Sequence, residues 1–134
     1  MKGKMGFTLI ELIIVIVIIG ILAAIAAPMM AGNVGKAKKS EAVSVMGAIR
    51  TAERLYFVDT SSYRGVLTSG WSSTPLNTYI GQNDIQGRYF NDVQYSVTTL
   101  GTNNDYYINF AGTDVDGKVV GSMFMNSNGL INNY

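Results

Sequence analysis

The sequence predicts an α+β fold, in which one long N-terminal helix packs against a C-terminal antiparallel sheet of three to four strands. Three observations predict it. Positions 12–31 contain no charged residue and are mostly Ile, Leu, Val and Ala. Positions 34–58 switch to the spacing of an amphipathic helix. The final third carries short runs of β-branched and aromatic residues separated by Gly, Asn and Asp clusters.

The first stretch, GFTLIELIIVIVIIGILAAIAAP from Gly6 to Pro28, dominates the chain. About 20 apolar residues span a bilayer as a helix, so this segment is long enough to cross one. Glu11 interrupts it near its start. A charge inside a membrane segment costs about 2.5 kcal/mol or more at the centre and less toward the ends, so Glu11 calls for a role. Thr8-Leu9-Ile10-Glu11 fits a capping box, in which Glu11 helps start the helix. Alternatively, Glu11 pairs with a positive group once the helix leaves lipid. Spacing leaves both readings open. An ordinary secretory signal, cleaved near Ala24-Ile25-Ala26, is the rival account of this end. The length of the apolar run and the presence of Glu11 argue against it.

Beyond the stem, Ala42, Val45, Ile49, Ala52 and Tyr56 recur at steps of three and four and define one apolar stripe. Lys38, Lys39, Glu41, Arg50, Glu53 and Arg54 read as the charged remainder of that helix, with Arg50 and Glu53 spaced to face each other. Lys36, Lys38 and Lys39 read as a solvated face. The helix is expected from Phe7 to about Val58, ended by Asp59-Thr60-Ser61-Ser62. A long loop from Tyr63 to about Arg88 follows, with Trp71 as its anchor. Strands are expected over 93–100, 106–111 and 118–125, with a short last one at Leu130-Ile131. In the first, Val93, Tyr95, Val97 and Thr99 share one side. Gly101-Thr102-Asn103-Asn104, Asp116-Gly117 and Asn126-Ser127-Asn128-Gly129 supply the turns between them. One sheet face then covers the helical stripe.

Composition narrows the function. The chain has no histidine and no cysteine, which removes the commonest general base, the commonest zinc ligand and any disulfide. No catalytic constellation, cofactor motif or metal cluster is read from the sequence, and an enzyme is not expected. Asp114-Val115-Asp116-Gly117 resembles half a calcium loop, but the rest of that pattern is missing and a hairpin turn is the simpler reading. Net charge is +1 over 134 residues, so there is no electrostatic case for a nucleic-acid site.

The N-terminus resembles one family closely. A short basic leader, Met1-Lys2-Gly3-Lys4-Met5-Gly6, precedes Phe7-Thr8-Leu9-Ile10-Glu11 and an apolar helix punctuated by Gly20 and Pro28. Over about the first 30 residues this is similar to the type IV pilins and type II secretion pseudopilins. The resemblance implies cleavage between Gly6 and Phe7 by a prepilin peptidase, with N-methylation of Phe7. Loss of Lys2 and Lys4 would take the side-chain charge from +1 to −1. The resemblance also implies that Glu11 pairs with the Phe7 amino group of a neighbouring subunit, and that Gly20 and Pro28 bracket a flexible stretch of helix. The organisation it implies is a leader over 1–6, a membrane and assembly helix over 7–32, and a globular head over 33–134.

The family resemblance implies a structural subunit of a type IV pilus, a filament whose roles include adhesion, twitching motility and DNA uptake. The alternative is the major pseudopilin of a type II secretion system; a membrane-anchored or secreted binding module explains less. The implied partners are other copies of the chain in a helical filament, the prepilin peptidase and methyltransferase, an inner-membrane assembly platform, and the membrane itself before assembly. Lysines on both sides of the stem make charge counting ambiguous. The resemblance resolves it in favour of a cytoplasmic leader, giving a single-pass inner-membrane precursor and then a surface filament, or a periplasmic one for a pseudopilin. The pilin reading is preferred because the C-terminal half lacks a convincing calcium site. Many type IV pilins close a C-terminal loop with a disulfide, and this chain departs from them there.

Overall fold

A computed structural model describes residues 6–63, 75–101 and 105–133. The leader before Gly6, Trp71 and the turn residues Thr102 to Asn104 therefore lie outside the described residues. Helix α1 runs Leu9–Thr60, and the strands are β1 (Tyr95–Leu100), β2 (Asp105–Phe110), β3 (Met123–Asn126) and β4 (Ile131–Asn133). The strands form one antiparallel sheet in the order β1-β2-β3-β4. This is the expected α+β arrangement of one long helix with a four-stranded meander. The chain divides into two compact units, Met1–Lys36 and Ala37–Tyr134.

Within the first unit α1 is apolar on every side from Leu12 to Ala31, and side chains from Phe7 to Met30 stand exposed. In the second unit α1 becomes amphipathic. All five predicted stripe residues (Ala42, Val45, Ile49, Ala52 and Tyr56) are buried, joined by Met46. They meet the inward side chains of the sheet: Tyr95, Val97, Tyr106, Ile108, Phe110, Met123 and Met125. Alternation along the strands sends every second side chain inward, as the burial of β2 shows at Tyr106, Ile108 and Phe110. Leu76, Ile80, Ile85 and Phe90 close the core from the segment before β1. The Phe90 and Phe110 rings meet edge to face with centroids 4.7 Å apart, a favoured aromatic geometry. Each fully buried aliphatic or aromatic side chain here contributes about 1.5–3 kcal/mol.

Helix α1 stops where Ser61 adopts φ 59°, in the left-handed region. Ser61 N–H still donates to the Phe57 carbonyl at 2.7 Å, which is how a helix commonly ends. The loop that follows is not featureless. Its described part contains single 3-10 turns at Pro75–Thr78, Gln82–Asp84 and Asp92–Gln94.

Four expectations are corrected. Val93 is not on the inward side of a strand: it sits in the Asp92–Gln94 turn and is 57% exposed. Asn91 fixes that turn by accepting a hydrogen bond from the Val93 amide, so β1 begins two residues later. The strand expected over 118–125 is mostly absent. Thr113 and Val119 form an isolated bridge, Gly112 and Gly121 take φ 79° and 104°, and the Val120 and Gly121 amides both donate to the Gly112 carbonyl. A Cβ at Gly112 would lie 2.5 Å from the Ser122 nitrogen, so the backbone folds tightly there and only Met123–Asn126 pairs with β2. The last strand starts at Ile131 rather than at Leu130, which is exposed. Finally, Glu53 is not part of the solvated surface but fully buried beside the apolar stripe.

Ile49 is 0% exposed at the centre of the stripe. Ile49→Asp should lower the unfolding free energy of the detergent-solubilised chain by about 3 kcal/mol or more, because it places a charge under the sheet. Denaturant unfolding followed by circular dichroism reads this directly; an unchanged midpoint would show that the stripe does not carry the head.

Candidate functional site

At the start of the stem, Gly6 and Phe7 precede α1 in an irregular segment, and Phe7 is 80% exposed. Thr8 and Glu11 are brought together. The Thr8 amide and hydroxyl both donate to Glu11 Oε2, at 2.9 and 2.8 Å, and the Glu11 amide donates to Thr8 Oγ1 at 3.3 Å. This is a closed capping box, satisfying amides that the helix itself leaves without partners. Both of Thr8's bonds converge on one carboxylate oxygen. Among the described residues, the hydrogen bonds of the Glu11 carboxylate run to Thr8.

Gly20 and Pro28 both lie inside α1. Pro28 removes a backbone donor from its turn. A Cβ on Gly20 would meet nothing within 4 Å, so no contact within the chain requires glycine there. This helix is the one among the described residues long and apolar enough to cross a membrane.

In the head, three charged side chains of α1 that read from sequence as solvent-facing instead hold the loops. Lys38 makes an ion pair with Asp114, whose side chain is almost fully buried. The other carboxylate oxygen of Asp114 accepts from the Asp116 and Lys118 amides at 3.2 and 2.7 Å. Both oxygens of Asp114 are therefore engaged within the chain, and the Asp116-Gly117 stretch is a turn closed by the Gly117 amide on the Asp114 carbonyl. No group of three or more metal-ligating side chains occurs among the described residues. The Lys38 ammonium also lies 5.0 Å from the centre of the Tyr89 ring, within cation–π range.

Glu41 Oε1 accepts from the Tyr89 and Phe90 amides at 2.8 and 3.2 Å. A Cβ on Gly87 would fall 2.1 Å from that same oxygen, so glycine is what lets the backbone approach the carboxylate. Arg50 donates to the Ser127 and Asn128 carbonyls at 2.9 and 3.0 Å, gripping the β3–β4 turn. These partners lie 48 to 78 residues from the helix in sequence, and no local spacing announces them.

Two buried phenols complete the electrostatics. Burial raises Tyr95 well above its ordinary value, and the charge of Glu41 adds to the effect. Burial also raises Tyr106, reinforced by Glu53, and its hydroxyl donates to the Arg50 carbonyl at 3.4 Å. Both stay neutral near neutral pH.

A long helix opened by a Phe-Thr-x-x-Glu cap, followed by a four-stranded antiparallel sheet, is a pilin-like α+β fold. Residues 1–27 match the family described as the prokaryotic N-terminal methylation motif. The chain is 47% identical over 58 residues to type II secretion system core protein G of Escherichia coli, covering 43% of this chain and 40% of that protein. It is 36% identical over 89 residues to a type IV major pilin protein of Neisseria gonorrhoeae (66% and 50%), and 41% identical over 98 residues to a fimbrial protein of Eikenella corrodens (73% and 57%). The chain spans about half the length of the curated relatives it matches. No solved structure gives a significant match. Stem motif, relatives and fold are all similar to those of the type IV pilins and type II secretion pseudopilins.

The Lys38–Asp114 pair has a pH signature. The hydrogen bond from Lys38 holds the Asp114 carboxyl below its ordinary 3.8, against the opposing effect of burial, with the Lys118 amide adding to the lowering. A depressed carboxyl contributes stability that is present above its unfolded value and is lost as pH falls through its folded one. The melting temperature should therefore fall as pH drops below 3.8, and Asp114→Asn should flatten that limb while lowering the melting temperature at neutral pH. A variant that melts like the wild type at every pH would remove the pair from the account.

Proposed function

We propose that the chain is the structural subunit of a type IV pilus, built through its N-terminal helix. The observation that carries this reading is the stem: an exposed helix, apolar but for one carboxylate, Glu11, which stands one turn in from Phe7. Aliphatic side chains in this number need lipid before assembly and other stems afterwards. The longer matches, to proteins named as a major pilin and a fimbrial protein, support a pilus. The several matches to type II secretion core protein G keep a secretion pseudopilin as the second reading.

In this reading a prepilin peptidase and methyltransferase cuts between Gly6 and Phe7 and methylates Phe7. The precursor is a single-pass inner-membrane protein with its leader in the cytoplasm, organised as leader 1–6, stem 7–32 and head 33–134. An assembly platform then lifts the stem out of lipid into a helical filament of identical copies. Glu11 Oε2 remains committed to Thr8, while its other oxygen accepts the Phe7 ammonium of a neighbour. A buried carboxylate and ammonium stabilise each other only as a close pair, and either alone costs several kcal/mol. Gly20 and Pro28 supply the local freedom the stem needs to adapt to its neighbours. The subunit works by assembly and catalyses no reaction.

Mass spectrometry of filaments sheared from cells should show a mature chain beginning at methylated Phe7. Gly6→Leu should leave the full-length precursor in the inner membrane. A mature start at Ala27 or Pro28 would identify an ordinary secretory signal instead. Filaments confined to the periplasm would favour the secretion reading.

A further inference from the structure

The outward face of the sheet is patterned in a way that strand stability does not explain. Its register places Ser96, Asn109, Phe124 and Asn132 in one row across the four strands, and Thr98, Tyr107 and Asn126 in the next. Each aromatic ring is thus flanked on both neighbouring strands by an amide or hydroxyl: Phe124 by Asn109 and Asn132, and Tyr107 by Thr98 and Asn126. The two rings are half-buried and meet at 6.5 Å between centroids, with their planes at 67°. Asn109 donates to Thr98 Oγ1 at 3.3 Å, and Asn126 Oδ1 accepts from the Leu130 amide at 2.9 Å, so two of the amides are held in place.

Asparagine is depleted in strands, yet it occupies three of these seven outward positions. The face also lacks the mixed charges usual on a solvated sheet. Asp105 is the charged residue at its margin, where it accepts from Ser127 Oγ and the Tyr106 amide. An anionic polymer such as nucleic acid needs cations, typically several, along its path, and this face presents none among the described residues. A ligand complementary to it is neutral, offers flat C–H faces to two rings, and exchanges hydrogen bonds with amides that both donate and accept.

We propose that this face binds an uncharged polysaccharide. Pyranose rings lie against Tyr107 and Phe124, and their hydroxyls bond to Asn109, Asn126, Asn132 and Thr98. The site goes beyond filament assembly and does not depend on it, since every contributing residue lies in the head.

The test is retention of the full-length, detergent-solubilised chain on microcrystalline cellulose and on chitin, with alginate and single-stranded DNA as anionic comparisons. The chain should be retained on at least one neutral polymer and on neither anionic one. Tyr107→Ala and Phe124→Ala should each weaken retention about tenfold, the loss expected of one stacked ring. Asn132 is exposed, so Asn132→Asp leaves the fold intact, and it should reduce retention severalfold even if an aromatic variant fails to fold. No retention on either neutral polymer, equal or better retention on the anionic ones, or undiminished retention of Asn132→Asp together with whichever aromatic variants fold, would overturn the proposal.

Discussion

A carboxylate set among aliphatic side chains must find donors, and that requirement organises the stem. Within the chain, Thr8 supplies two of them to a single oxygen of Glu11. The remaining acceptor capacity then becomes a polar feature on a surface made mostly of Ile, Leu, Val and Ala. Aliphatic surface is non-directional and slides easily, because burial rewards area rather than register. A single ion pair in low dielectric is directional and costly to misplace. In the proposed filament the apolar stem supplies the drive to assemble, and Glu11 supplies the register.

The head answers a different problem with the same class of group. A chain without cysteine must hold long loops by non-covalent means, and this one uses charged side chains of α1 as clasps. Lys38 holds the Asp114 turn, Glu41 collects two amides before β1, and Arg50 grips two carbonyls of the β3–β4 turn. Hydrogen bonds to charged groups contribute about 1.5–3 kcal/mol each when partly buried, comparable with burying an aliphatic side chain. Gly87 belongs to the same device, since any side chain there would displace the Glu41 carboxylate.

Much of this was legible before any coordinates. The helical stripe from Ala42 to Tyr56 was readable because a period of 3.6 repeats over four turns and leaves little ambiguity. The strand β2 was readable because 106–111 is an aromatic and apolar run. The shortening of β3 was not, because Val119 and Val120 carry strand propensity while the positive φ of Gly112 and Gly121 depends on the turn they build together. The clasps were illegible for a simpler reason: a lysine that pairs with an aspartate 76 residues away looks in sequence like any solvated lysine. The burial of Glu53 at the edge of the stripe was hidden in the same way, since only the position of the sheet decides which edge residues it covers. At the stem, the Thr8–Glu11 spacing foretold the capping box, but no single chain contains the neighbour that a second role for Glu11 requires.

The measurement that bears most directly on this account is filament yield from Glu11→Gln, taken as sheared surface filament relative to total mature subunit. Glutamine keeps the shape and can still serve in a capping box, so the helix, its insertion and processing at Gly6 should persist. What it removes is the charge that balances a neighbour's Phe7 ammonium. Filament yield should fall sharply while mature subunit accumulates in the membrane. A normal yield from Glu11→Gln would mean that Glu11 does no more than start the helix, and the pairing at the centre of the account would be wrong.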